Sequence, residues 1–350
     1  MRKIRDNGVP LAEFAGVKPL YGIKTGLNEA FLIDTPMKER LVREDPRSAE
    51  IIKPYLRGQD IKRWTPEWNG FWMIVLKSSD DHAWPWSDAG NGAEEVFRQS
   101  YPSLHGHMKP LEGRLRKRQD KSRYWWELRA CDYYDAFEQP KLMGQQIQFY
   151  PQYGLYSEKV LTNNKVFFLP SADHWLLALL NSPLMWWYNW RYLPHMKDEA
   201  LSPVGRLMEK LPVALPTDEM RAETEPAVEQ LISLTKSEQD ARRDMLHWLR
   251  LEFGVEKSGQ KLEDFASLNV DVFIEEVRKR RLKSEGRLTP AALRVLRTSY
   301  SEMATPVREN RAEAAKLERR LSDLVNEAYE LTPDEANLLW ATAPPRMPRF

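Results

Sequence analysis

Between Lys109 and Arg129 the chain gathers eight cations, Lys109, Arg114, Arg116, Lys117, Arg118, Lys121, Arg123 and Arg129, against only Glu112, Asp120 and Glu127. Tyr124, Trp125 and Trp126 interrupt the run, and cations interleaved with aromatic rings suit phosphate contacts with base stacking or groove wedging beside them. A second stretch, Leu56-Arg57-Gly58-Gln59-Asp60-Ile61-Lys62-Arg63-Trp64, mixes side-chain types that can read base edges. A solvated basic face with tryptophan packed beneath it accounts for the same composition. Lys24 and Thr25 sit between Gly22 and Gly26, where glycine tolerates the backbone of a tight turn and exposed N–H groups could meet phosphate. The alternative is a strand-to-strand turn with Lys24 solvated. Asp60 and Asp120 are expected to orient neighbouring Arg and Lys side chains by salt bridges, because a carboxylate near phosphate is repelled.

Catalysis needs convergent groups, and the sequence offers few. There is no Gly-rich phosphate loop of the Walker type and no Gly-x-Ser-x-Gly elbow. His105 and His107 are the one close histidine pair, without a third ligand at a metal-site spacing. Cys131 beside Asp132 has no paired base to activate it. Gly90-Asn91-Gly92 follows no apolar strand and reads as a turn. Asp80-Asp81 and Glu94-Glu95 are adjacent acids, and adjacency alone does not aim two carboxylates at one substrate.

The 350 residues suffice for two domains, and 42% hydrophobic with 29% charged residues is an ordinary globular composition. The net charge of +1 conceals an asymmetry. Residues 1–216 carry 30 basic and 26 acidic side chains, with 11 of the 13 Trp, 11 of the 13 Tyr and 13 of the 16 Gly, whereas residues 217–350 carry 22 and 25. A lone cysteine cannot form an internal disulfide, which points to a reducing, cytoplasmic setting. The longest strongly apolar run, Trp175 to Leu180, is far short of the ~20 residues that span a bilayer, so no membrane role is expected.

These side chains need elements to position them. Ala30 to Ile33, Phe71 to Leu76 and Lys165 to Leu169 are short apolar runs between Gly, Pro, Asn and Asp, and read as strands. A helix is predicted from about Asp173 through Leu180, capped by Ser171 or Asp173 and interrupted at Asn181-Ser182-Pro183. The aromatic segment Leu184 to Arg191 reads as core packing at helical spacing. Beyond the proline-bounded connector Leu211 to Thr217 the pattern turns helical over residues 219–253. Leu317, Leu321, Leu324 and Ala328 continue it as an apolar stripe within Val307 to Leu331. Arg278 to Lys283 reads as a solvated basic helix face. The expected class is α+β: a recognition domain of small mixed β-sheet with packed helices over residues 1–216, then an all-α domain over residues 217–350.

An ordered set of segments resembles a known family. Tyr21-Gly22-Ile23-Lys24-Thr25-Gly26-Leu27-Asn28-Glu29-Ala30-Phe31-Leu32-Ile33-Asp34 and Ile51-Ile52-Lys53-Pro54-Tyr55-Leu56-Arg57-Gly58-Gln59-Asp60-Ile61 resemble the opening of the target-recognition domain of Taq-type adenine-specific DNA methyltransferases, a domain shared with type IIG restriction-modification enzymes and phage-defence methylases. Arg118-Gln119-Asp120-Lys121, Trp125-Trp126-Glu127-Leu128-Arg129, Phe137-Glu138-Gln139-Pro140-Lys141, Leu179-Leu180-Asn181-Ser182-Pro183-Leu184 and the Leu211-Pro212 exit follow in order, and Leu324 to Glu335 resembles the helical ending of such proteins. The family's Asn-Pro-Pro-aromatic motif and Gly-rich S-adenosylmethionine loop are absent here, and no Pro-Asp…Glu-x-Lys nuclease signature is visible.

The resemblance implies double-stranded DNA as partner and methyl transfer by a separate or missing catalytic domain that would hold the S-adenosylmethionine. No cofactor or metal is expected in this chain, which would neither methylate nor cut DNA alone. The DNA contacts it implies are Lys24, Thr25, Asn28, Arg57, Gln59, Lys62, Arg63, Arg114, Arg116, Lys117, Arg118, Lys121, Arg123, Trp125, Trp126, Arg129 and Lys141. The competing expectation is a helical interaction scaffold, or a specificity subunit of a phage-defence complex without catalysis of its own.

Overall fold

The computed structural model describes residues 1–282 and 286–350, and the chain forms two units. One comprises Met1–Leu215 with Ala328–Pro348, the other Pro216–Glu327 with Arg349–Phe350. The strands are β1 (Val9–Pro10), β2 (Leu20–Tyr21), β3 (Leu32–Asp34), β4 (Ile52–Leu56), β5 (Phe71–Ile74), β6 (Lys141–Gln145), β7 (Tyr153–Tyr156), β8 (Leu161–Thr162), β9 (Val166–Leu169) and β10 (Pro212–Val213). The principal helices are α1 (Thr35–Glu44), α2 (Ala93–Ser100), α3 (Pro102–Met108), α4 (His174–Asn181), α5 (Pro183–Tyr192), α6 (Asp218–Phe253), α7 (Val270–Arg280), α8 (Pro290–Ala328) and α9 (Pro333–Ala341). The class is α+β, with the strands in the first unit and long helices making up the second.

In the first unit two four-stranded sheets share the core. One runs β2-β9-β6-β7 and is antiparallel throughout; the other runs β3-β5-β4-β8, with β4 and β8 parallel. All four residues of β9, Val-Phe-Phe-Leu, are buried, as suits a strand covered on both faces. Gly144 in β6 stands opposite Tyr153 and Phe167. A Cβ there would lie 2.6 Å from the Phe167 ring and 2.9 Å from that of Tyr153, so the close crossing of β6 requires glycine. The apolar run Ala30–Ile33 is not one strand. Asn28–Phe31 forms a helical turn, and pairing with β5 begins only at Leu32. Asp34 then ends β3 and caps α1 through the Met37 N–H at 2.9 Å.

Caps set the helices that follow. The Asp173 carboxylate accepts from Leu176 N at 2.7 Å and starts α4; the Ser182 hydroxyl accepts from Met185 N at 3.1 Å and, with Pro183 next, starts α5. The Asn181 carboxamide bonds both backbone groups of Tyr153 in β7, at 2.9 and 3.0 Å, and fastens the end of α4 to the sheet. The core around α2 is aromatic. Trp126 stacks on Phe97 at 4.9 Å and on Tyr124 at 4.9 Å, with Trp86 edge-on at 6.2 Å. Within it the fully buried Glu127 carboxylate accepts from the Ser79 hydroxyl, Ser79 N and Trp86 Nε1, so the buried charge is met by donors.

The tail completes the first unit. The buried Tyr329 hydroxyl donates to Pro212 O at 2.5 Å and accepts from Ala214 N at 3.2 Å, beside the β1–β10 pair. Thr332 and Glu335 form a capping box at the start of α9, and Lys3 meets Glu335 at 2.7 Å.

In the second unit Thr217 caps the 36-residue α6 by accepting from Met220 N. Met245, Leu249 and Phe253 of α6 share a core with Phe273, Ile274 and Val277 of α7 and Leu296, Tyr300 and Val307 of α8. The Leu321–Leu324 part of the apolar stripe is buried. Arg311 of α8 bridges Glu238 and Asp264 at 2.6 and 2.7 Å. Of the basic run at the end of α7, Arg278 and Lys279 are exposed, while Lys283 lies outside the described residues.

Replacing Tyr329 by Phe leaves Pro212 O and Ala214 N without their buried partner, at about 1–3 kcal/mol each for an unsatisfied group. The expected result is an earlier denaturant transition of the first unit, followed by its tryptophan fluorescence; an unshifted transition would show that the tail does not support this unit.

Candidate nucleic-acid interface

Four of the eight cations of the 109–129 segment already face acids brought in from elsewhere in the chain. Arg114 meets Glu29 at 2.5 Å, Arg116 meets Glu112 at 2.7 Å and Glu94 at 3.8 Å, and Lys109 bonds both Glu94 and Glu112. Arg123 reaches Asp80 at 3.5 Å and Ser87 O at 2.9 Å. Asp120 holds Lys24 at 3.0 Å and lies 3.8 Å from Arg129, and Asp60 takes Arg57 at 2.7 Å, so both aspartates orient cations as expected. Arg114, Arg116, Lys117, Lys121, Arg123 and Arg129 all keep exposed side chains, together with Lys24 and Asn28.

Five expected DNA contacts are buried and are corrected here to interior roles. Arg118 is 6% exposed, and its guanidinium donates to Thr25 O (2.7 Å), Trp125 O (2.8 Å), Glu127 O (2.7 Å) and Leu115 O (3.3 Å), with the Phe31 ring 4.7 Å away. Its N–H groups are aimed at backbone carbonyls of its own chain, and burial lowers its pKa to about 10. Trp125 and Trp126 pack in the aromatic core and cannot stack on bases without leaving it. Thr25 is buried and donates to Asn28 Oδ1 at 2.6 Å. Lys141 is fully buried, donating to Glu158 O at 3.1 Å, and burial holds its pKa down to about 8. His105 and His107 diverge, one to Glu94 Oε1 and the other to Ala30 O, both at 3.2 Å.

The loop Gly22–Gly26 is held by packing. A Cβ on Gly22 would lie 2.2 Å from Asn163 O, while Ile23 N donates to Thr162 O at 2.6 Å. The β8–β9 turn therefore sits directly behind the Lys24 loop. Its Lys165 leads to a cleft that takes in two of the expected contacts, Gln59 and Lys62, together with a wall that sequence reading missed.

A cleft of about 350 Å³ opens between the turn carrying Gly58, Gln59 and Lys62, the β6–β7 loop and Lys165. The loop contributes Gln145, Gln146, Ile147, Phe149, Tyr150 and Gln152. Ile147, Phe149 and Tyr150 are exposed at 39%, 39% and 48%, unusual for side chains of this type on a small loop. The loop is nonetheless anchored. Gln146 N donates to Lys165 O at 2.8 Å, Gln148 pairs through its backbone with Leu201, and Tyr153 at its end is held by Asn181. On the opposite wall Arg57 makes a two-pronged contact with Asp60 (2.7 and 2.9 Å) and covers the Phe71 ring at 4.0 Å, which fixes the turn bearing Gln59. Arg63 is directed inward, to Asn181 O at 3.0 Å. The signal available in the sequence was the amide-rich run Gln145-Gln146-Ile147-Gln148-Phe149-Tyr150-Pro151-Gln152, polar groups and aromatics together between two strands.

Residues 53–213 match the family model of the TaqI-like C-terminal specificity domain, and residues 217–325 match a family described as a domain of unknown function (DUF8810). No match is found among curated proteins. Among solved structures, a type IIL restriction-modification enzyme, MmeI, in complex with DNA is similar at a TM-score of 0.45 and 12% identity over 93% of this chain. The present chain spans 34% of that one, about a third of its length.

The burial pattern separates two arginines close in sequence. Arg118→Met leaves several buried carbonyls without donors and is expected to cost at least about 3 kcal/mol, whereas Arg116→Met, on the exposed side, should stay within about 1 kcal/mol. Equal losses in urea unfolding would contradict the interior role of Arg118. Lys141 gives a pH signature. Its folded pKa near 8 lies below the ordinary 10.5, so the unfolded chain binds more protons between those values and stability rises as pH goes from about 8 to 10.5. Lys141→Met should flatten that rise in urea titrations; a rise of undiminished slope would assign it to another group.

Proposed function

From the match of residues 53–213 to the TaqI-like C-terminal specificity domain, we propose that this chain recognises a DNA sequence for a restriction-modification system whose methyl transfer to adenine is carried out by a catalytic domain outside these 350 residues. The observation that carries the reading is the cleft of Gln59, Gln146, Lys62 and Lys165, rimmed by exposed aromatic and aliphatic side chains and lying next to the Lys24 loop. Carboxamides and ammonium groups are base-edge readers, while the surrounding cations suit the phosphates that set register.

The cleft does not suit S-adenosylmethionine. Its sulfonium would face Lys62 and Lys165, and no carboxylate lines the walls to balance it or to hold a ribose. In the proposed division of labour, methyl-donor binding belongs to the catalytic partner. This chain's part is to dock and orient the duplex so that the partner can extrude the target base, at an unstacking cost of a few kcal/mol.

Fluorescence anisotropy with duplexes of random sequence tests the reading. Affinity should fall steeply with salt, and neutralising Lys24, Lys62 and Lys165 together should reduce the slope of log K against log salt by about 1 for each phosphate that the variant no longer neutralises. Binding without salt dependence, or a slope untouched by the triple variant, would reject this placement of the DNA.

A further inference from the structure

We propose that the cleft reads an A·T base pair in the major groove, the Gln146 carboxamide meeting the adenine edge and the Ile147–Phe149 rim meeting the thymine methyl. The assignment rests on the DNA-recognition reading above and deepens it to the chemistry of one position.

The lining discriminates among bases by what it contains. Cytosine is read by a carboxylate, and the walls carry none; guanine is read by arginine or lysine, which falls to Lys62 and Lys165 at the edges; the four glutamines in between match adenine. The glutamines are not equivalent. Gln145 Nε2 donates to Ile61 O and Gln152 Oε1, which ties up both of those side chains in part, and the Gln59 carboxamide faces the Arg57 guanidinium, whose N–H groups its oxygen accepts, at 3.1 Å, once the amide is turned to satisfy both groups. Gln146 makes no side-chain hydrogen bond among the described residues and is partly exposed. Its oxygen and its amino group are together the complement of adenine N6–H and N7. The backbone beneath it is fixed by the bond to Lys165 O, so the amide approaches from a set position.

The apolar neighbours supply the other half of the pair. Ile147 lies one residue away, and Phe149, covered on one side by the Arg346 guanidinium at 4.9 Å, keeps 39% of its surface exposed. Against the groove floor such a surface has one natural apolar complement, the thymine 5-methyl. Lys62 and Lys165 flank the cleft at positions suited to guanine N7 and O6 of an adjacent pair or to phosphate.

The test uses the whole chain. A preferred duplex is selected from random sequences, and each adenine in turn is replaced by 7-deazaadenine, which lacks the N7 acceptor, and each thymine by uracil, which lacks the methyl. At one position 7-deazaadenine should weaken wild-type binding about tenfold, within the range of a bidentate base contact, while Gln146→Ala shows the loss on natural DNA and no further penalty from the analogue. The paired uracil should weaken wild type and leave Phe149→Ala unaffected. Gln146→Glu, a pure acceptor, should move the preference there from adenine toward cytosine. Thermal unfolding of the three variants should match wild type, since both side chains are solvent-accessible. A full 7-deazaadenine penalty in Gln146→Ala, or an unchanged selected sequence in Gln146→Glu, overturns the assignment while leaving DNA recognition standing. Absence of duplex binding by the wild-type chain overturns the functional reading and the assignment together.

Discussion

The guanidinium of Arg118 is the fixed point of the first unit. Four carbonyls, from the Lys24 loop, the Leu115 turn and the Trp125–Glu127 segment, converge on one planar cation over the Phe31 ring. Burying a charge this deeply is costly unless its donors are used, and here they are used on the backbone of segments that belong to no sheet. The chain around it is irregular, built of short turns, so a side chain does here what a sheet ladder does elsewhere. The buried Glu127 carboxylate serves the same end from the acceptor side, collecting donors from Ser79 and Trp86. Arg118 and Glu127 thereby hold the loops on either side of the aromatic core without pairing their charges.

That dependence explains which parts of the structure are legible in the sequence. Helices are readable where a cap opens an apolar run, at Asp173, or where apolar residues recur at helical spacing, at Leu184 to Arg191 and over residues 219–253, because those signals are local. Strands 71–74 and 166–169 are readable because both are apolar runs between breakers. The turn Asn28–Phe31 is not, since its residues are apolar enough for a strand and only the pairing partner of β3 decides where extension begins. Tyr329 offers no local pattern at all, because its role depends on Pro212 and Ala214 far earlier in the chain.

The candidate site shows the same division. Counting charges in a window overstates the basic segment, as Glu29, Glu94 and Asp80 lie outside it and yet stand beside its cations. Tryptophans 125 and 126 stand out in the sequence beside the basic run, but the Trp126 ring is set by Phe97 and Trp86 and the Trp125 ring by His105, all well away in the sequence. The cleft is hidden because Gln59, Gln146 and Lys165 are joined only by the β6–β9 pairing and the turn at Gly58. The Arg57–Asp60 pair, by contrast, is local: opposite charges three residues apart meet across one turn.

The matched cations also bear on how such a surface treats polyanions in general. Arg114, Arg116, Lys109 and Arg123 have carboxylate neighbours at rest, so an arbitrary run of phosphates must compete with ligands already in place. The Coulomb attraction that drives indiscriminate binding is weakened accordingly, while hydrogen bonds inside the cleft are left at full strength. Under the proposed function, internal ion pairing of this kind would act as a filter, lowering affinity for the wrong sites more than for the right one and shortening the time the chain spends held on DNA that it has no reason to keep.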